Sequence, residues 1–115
     1  MAFVATLAWE LDASSSPQAA KLLVAELVGR RYLDRFEGKR LPAHTVWIRR
    51  NVEDGETVDD LKRRCAAELR AAAAAVARAG LPIRLVRAWV QVTGAGTYGV
   101  LDVEPDEAGA EEENV

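Results

Sequence analysis

The sequence predicts an α+β domain, and three observations carry that prediction. Two stretches, 17–28 and 57–79, repeat apolar residues at helical spacing. Several others, among them 3–11, 45–52 and 83–93, alternate apolar and polar residues with a period of two. The chain has 115 residues, enough for one hydrophobic core and too few for two.

The first strand spans 3–11. Phe3, Leu7, Trp9 and Leu11 share one face, and Thr6, Ala8 and Glu10 lie on the other. Ser16 then reads as an N-cap with Pro17 at the first helical position. The helix that follows carries Ala20, Leu23, Val24, Leu27 and Val28 as its stripe and ends at Gly29. Residues 30–36 could continue the helix through Arg35, but 31–36 alternate and are read as a second strand, with Glu37-Gly38-Lys39 supplying a turn with a glycine for positive φ. Residues 45–52 form the third strand, with Val46, Ile48 and Val52 on one face and Trp47 and Arg49 on the other. Pro42 confines its start to an irregular or edge position.

Thr57-Val58-Asp59-Asp60 resembles a capping box with Asp in place of the usual Glu or Gln. Behind it Val58, Leu61, Cys65, Leu69, Ala72 and Val76 line one helix face, and Gly80 and Pro82 end the helix. Residues 83–93 and 97–104 read as two more strands joined by a Gly94-Ala95-Gly96 hairpin. In order the elements are β-α-β-β-α-β-β. The first six match the ferredoxin-like split βαβ plan, a two-layer sandwich to which the last strand adds an edge. The expected organisation is a single domain over 1–104 and a disordered acidic tail over 105–115, where too little apolar surface remains to fold.

Composition excludes several classes. One cysteine, Cys65, allows no intrachain disulfide, and one Cys with one His cannot supply a four-ligand structural metal site. No apolar run approaches the ~20 residues that span a bilayer. The first residues lack a basic, signal-like segment, so the expected setting is a reducing cytoplasm without membrane contact. Ala and Arg outnumber Ile and Lys, a bias associated with GC-rich bacterial genomes. The net charge of −3 conceals an asymmetry. Seven acids and no base lie from Asp102 onward, which leaves a mildly basic body ahead of them.

No motif commits the chain to catalysis or to a cofactor. Gly94-Ala95-Gly96-Thr97-Tyr98-Gly99 matches G-x-G-x-x-G, but a dinucleotide loop must lead from a strand into a helix, and here a strand is expected on both sides. Ser14, Ser15 and Ser16 have no nucleophile-elbow context and read as a cap. Cys65 sits on an apolar stripe as a buried thiol, and His44 sits at a strand entrance as a surface hydrogen-bonding group. Asp59-Asp60 and Glu53-Asp54 belong to the start of a helix, where its dipole favours them. The expectation leans away from an enzyme, with no catalytic residue, metal or cofactor assigned.

The informative constellation is on the sheet. If Val46 and Ile48 face the helices, Trp47 and Arg49 face away; if Val86, Ala88, Val90 and Val92 face the helices, Arg87, Trp89 and Gln91 face away. The expected patch is therefore Trp47, Arg49, Arg87, Trp89 and Gln91, with Arg31 and Arg35 at its margin. Exposed apolar patches mark interaction surfaces, and Trp and Arg concentrate at interface centres. This favours a protein-interaction or self-assembly module whose partner is a second copy, in a homodimer or larger homo-oligomer, or another protein. Two alternatives stand beside it: single-stranded nucleic acid stacked on the same face, and a small-ligand sensor or enzyme in a groove between the tryptophans.

Overall fold

The structure is a computed structural model, and it describes residues 2–97, 101 and 103. They form an α+β fold: β1 (Ala2–Leu11), α1 (Pro17–Gly29), β2 (Arg35–Phe36), β3 (Lys39–Arg40), β4 (Thr45–Asn51), α2 (Val58–Arg78) and β5 (Leu85–Gly94). The main sheet is antiparallel, in the order β4-β1-β5, and the two helices pack on one of its faces.

Period-two alternation puts Ala5, Leu7 and Trp9 of β1 into the core beside Val46 and Ile48 of β4. From above, α1 contributes Ala19, Leu23 and Leu27, and α2 contributes Leu61, Cys65, Leu69, Ala72 and Val76. The stripe read for α2 is thus buried from Leu61 onward, while Val58 at its first turn is exposed. The capping box forms: Thr57 Oγ1 accepts from the Asp60 amide at 3.1 Å, and Asp60 accepts from the Thr57 amide at 3.0 Å. The cap of α1 forms as well, with Ser16 Oγ accepting from the Ala19 amide at 3.0 Å. Its buried stripe, however, is Ala19-Leu23-Leu27. The helix is rolled so that Val28 is exposed and Ala20 and Val24 are only half-buried.

The segment after α1 departs from the strand expected over 31–36. Arg31 takes a left-handed backbone, φ 78°, and this reversal sends Tyr32 into the core, fully buried. Only Arg35–Phe36 then pairs as a strand. Its partner is Lys39–Arg40, across a two-residue turn with positive φ at Glu37 and Gly38. The edge of β4 receives a single bridge, in which Leu33 and Trp47 exchange backbone hydrogen bonds of 2.8 and 3.0 Å.

At the other edge, β5 pairs with β1 from Phe3–Gly94 to Leu11–Leu85, with a register shift at Glu10/Leu11 that leaves Val86 as a bulge. The expected Gly94-Ala95-Gly96 hairpin does not form. Ala95–Thr97 is a 3₁₀ turn that packs against β1. Of the strand expected over 97–104, Leu101 and Val103 are exposed and outside any strand, and residues 98–100, 102 and 104 lie outside the described residues, as does the expected tail over 105–115. No described helix is long and apolar enough to cross a membrane.

Candidate interaction surface

The face of the sheet turned away from the helices is built by the even residues of β1 and the odd residues of its neighbours. Thr6 lies between Trp47 and Gln91, Ala8 between Thr45 and Trp89, and Val4 between Arg49 and Thr93. Trp47, Arg49, Arg87, Trp89 and Gln91 therefore occupy one face. The two indoles stand two strands apart and two residues out of step, about 12 Å between Cα atoms by ordinary strand spacing.

Their surroundings differ. Trp47 is half-buried by its own chain. Its indole Nε1 donates to the Arg35 carbonyl at 2.7 Å, and Phe36 packs edge-on against the ring at 5.2 Å between centroids. The irregular segment 33–36, which replaces the expected edge strand, is what covers it. Trp89 is 71% exposed, with only the small Ala8 and Thr6 beside it on the central strand. Arg87 is directly opposite Glu10 and pairs with it at 3.2 Å, both side chains in solvent. Such exposed pairs contribute little to stability. Gln91 and Arg49 are exposed. At the far end of the face Val4 is only 3% exposed, beside the Ala95–Thr97 turn. The open part of the face therefore centres on Trp89.

A shallow dimple of about 180 Å³ lies beside it, lined by Ala8, Trp9, Glu10, Arg87 and Trp89. The larger groove, about 830 Å³, is not between the tryptophans. It runs between the outer face of α1, at Ala20, Val24 and Val28, and the arm carrying Arg40, Leu41, Pro42 and His44. His44 stacks on Trp9 at 6.0 Å and takes φ 62°, a conformation in which His is over-represented among non-glycine residues.

One polar cluster was missed by the sequence reading. Arg50 lies under α2 and meets Glu68 through two bonds of 2.6 and 2.9 Å, while Tyr32 Oη donates to the same carboxylate at 2.7 Å. The guanidinium also sits over the Tyr32 ring, 5.4 Å from its centroid. Burial works to raise the Glu68 carboxyl, but the Arg50 and Tyr32 hydrogen bonds outweigh it and hold the group below the usual carboxylate range. Burial, with Cys65 and Glu68 alongside, pushes the Tyr32 hydroxyl far up, so it stays a donor. Parity was the available signal: Arg50 shares its strand face with Val46 and Ile48, and Glu68 interrupts the apolar stripe of α2. A fully matched Tyr-Glu-Arg set of this kind ties β4 to α2, and the one thiol beside it, Cys65, 3.9 Å from Arg50 Nη1, is buried in the core. Among the described residues no three His, Cys, Asp or Glu side chains gather as metal ligands would. Comparison with protein-family models, with curated proteins and with solved structures finds no match to this chain.

Proposed function

We propose that this chain is a small cytoplasmic protein-interaction or self-assembly module, built on a ferredoxin-like plan whose second strand has shrunk to the Leu33–Trp47 bridge. The working surface is the open part of the helix-free face, centred on Trp89 and flanked by Arg87 and Gln91. One observation carries this reading: an indole that is 71% exposed on a rigid strand, away from the core. Leaving it in water forgoes on the order of 1.5–3 kcal/mol of burial, the amount typical of a large apolar side chain. Aromatic anchors with arginine beside them are what interface centres use. Trp47 and Arg49 belong to the same face, but Trp47 serves the fold through Arg35 and Phe36 and is not a free anchor.

The test is the mass of the full chain in solution over a range of micromolar concentrations, by sedimentation equilibrium. The expected result is a mass above the monomer's 12.5 kDa that falls to it in Trp89→Ser, with the melting temperature of the wild type diluted to its monomer. If the wild type is monomeric throughout and a hydrophobic dye finds no site that Trp89→Ser removes, the reading fails.

A further inference from the structure

The outer edge of β5 extends the same surface, and its chemistry names the partner. Backbone groups in a strand alternate sides. The Trp9 amide donates to the His44 carbonyl at 3.1 Å, so Trp9 and its odd-numbered neighbours in β1 point their amides and carbonyls at β4. The even residues Thr6, Ala8 and Glu10 then point theirs at β5, where their partners are Gln91, Trp89 and Arg87. It follows that Ala88, Val90 and Val92 direct their N–H and C=O groups outward from the sheet. No described strand pairs with that row.

Natural edge strands are usually blunted by lysine, proline, shortness or a covering loop. β5 is 10 residues long, contains no proline or lysine, and has Arg87 as its one charge, already opposite Glu10. Apolar side chains are exposed along it: Trp89 in its middle, and Val86, 50% exposed, at the bulge.

We infer that β5 pairs antiparallel with β5 of a second copy, with Trp89 on the two-fold axis. This rests on the self-association reading above and specifies how it is achieved. Only registers that place Ala88, Val90 and Val92 against one another satisfy the outward row. Among these, the register that sets Arg87 against Arg87 of the second copy brings like charges together. Centring on Trp89 puts Arg87 opposite Gln91, Ala88 opposite Val90 and Val86 opposite Val92. Trp89 then meets its own copy at a non-hydrogen-bonded position, where cross-strand side chains approach most closely. Apolar residues meet apolar ones on the helix side, and the indoles cover each other on the open side. The result is a continuous six-stranded sheet with all four helices on one face.

The experiment uses the full chain in a Cys65→Ser background, with Arg87→Cys and Gln91→Cys as separate proteins. Mild oxidation of the two mixed should give a covalent heterodimer, and either alone should give little. A third variant, Ala88→Pro, removes an outward amide that no described strand pairs with. It should keep the melting temperature of the dissociated wild type and lose the dimer. Self-crosslinking of Arg87→Cys as strong as the mixed product would overturn the register. If the wild type sediments as a dimer while the mixture does not crosslink and Ala88→Pro still dimerises, edge pairing is wrong although self-association stands. If the wild type is monomeric at every concentration, edge pairing and self-association both fall, and only binding of another protein at Trp89 is left.

Discussion

Replacing Glu68 by Gln keeps the size of the side chain and removes its charge, so it isolates the electrostatic tie between α2 and β4. The carboxylate accepts three hydrogen bonds, two from Arg50 and one from Tyr32. A glutamine retains one acceptor and turns an amide N–H₂ toward donors. Each hydrogen bond to a charged group contributes about 1.5–3 kcal/mol net, and stripping the partner from a fully buried ion costs about 3–5 kcal/mol. Here the Arg50 and Glu68 side chains remain 15% and 25% exposed, so water recovers part of the loss. The expected destabilisation is about 2–3 kcal/mol by urea denaturation, or about 10–20 °C in melting temperature for a domain of this size. Because the native environment depresses the Glu68 pKa, its contribution is complete above the unfolded value of 4.5 and disappears as pH falls through the lower native one. The gap between wild type and Glu68→Gln should therefore be constant near neutrality and close in acid. The double variant Arg50→Met with Glu68→Met should be less destabilised than the two single changes sum to, since no charge is left stranded. A loss below about 0.5 kcal/mol for Glu68→Gln, a size usual for unconnected surface sites, would refute the reasoning.

Two further changes test the core and the covered indole. Leu69→Ala, at a site 2% exposed beneath α2, should cost about 2–5 kcal/mol in chemical denaturation. Trp47→Ala should lower stability by about 1.5–3 kcal/mol by the same measurement, because it strips Phe36 of its neighbour, whereas Trp89→Ser should leave the monomer unchanged.

How much of this was readable from residues depends on the range of the interaction concerned. The α2 stripe and both helix caps rest on local spacing, and local spacing is written in the chain. The parity of β4 and β5 was equally legible, and it correctly turned Trp47 and Trp89 to one face. What covers Trp47 was not, because it depends on Arg31 reversing the chain after α1 so that Tyr32 enters the core. Alternation puts Tyr32 and Phe36 on one face of a regular strand, whereas the reversal at Arg31 buries Tyr32 on the helix side and leaves Phe36 against Trp47 on the other. Arg50 was missed for a related reason. A charged residue near the end of a strand is ordinarily solvated, and its buried carboxylate lies on an element whose alignment only the tertiary structure sets.

The clearest mismatch between sequence and position is β5. Leu85, Val86, Ala88, Trp89, Val90 and Val92 with a single charge have the composition of a strand bounded on both sides, and the Gly94-Ala95-Gly96 turn pointed to a further strand over 97–104. Among the described residues β5 instead ends at Gly94, and Ala95–Thr97 turns against β1. A strand with an interior composition thus stands at an edge of the described sheet, where no described strand pairs with its outward amides and its indole is exposed. Local chemistry and global position usually agree in a folded protein, and places where they conflict tend to be functional. A second copy laid along β5 would remove the conflict on both counts, since it satisfies the free backbone row and covers Trp89 in one step. This is why the Ala88→Pro and Trp89→Ser variants should act alike on assembly although one alters only the backbone and the other only a side chain. If one abolished the dimer and the other left it intact, the edge and the indole would belong to different surfaces.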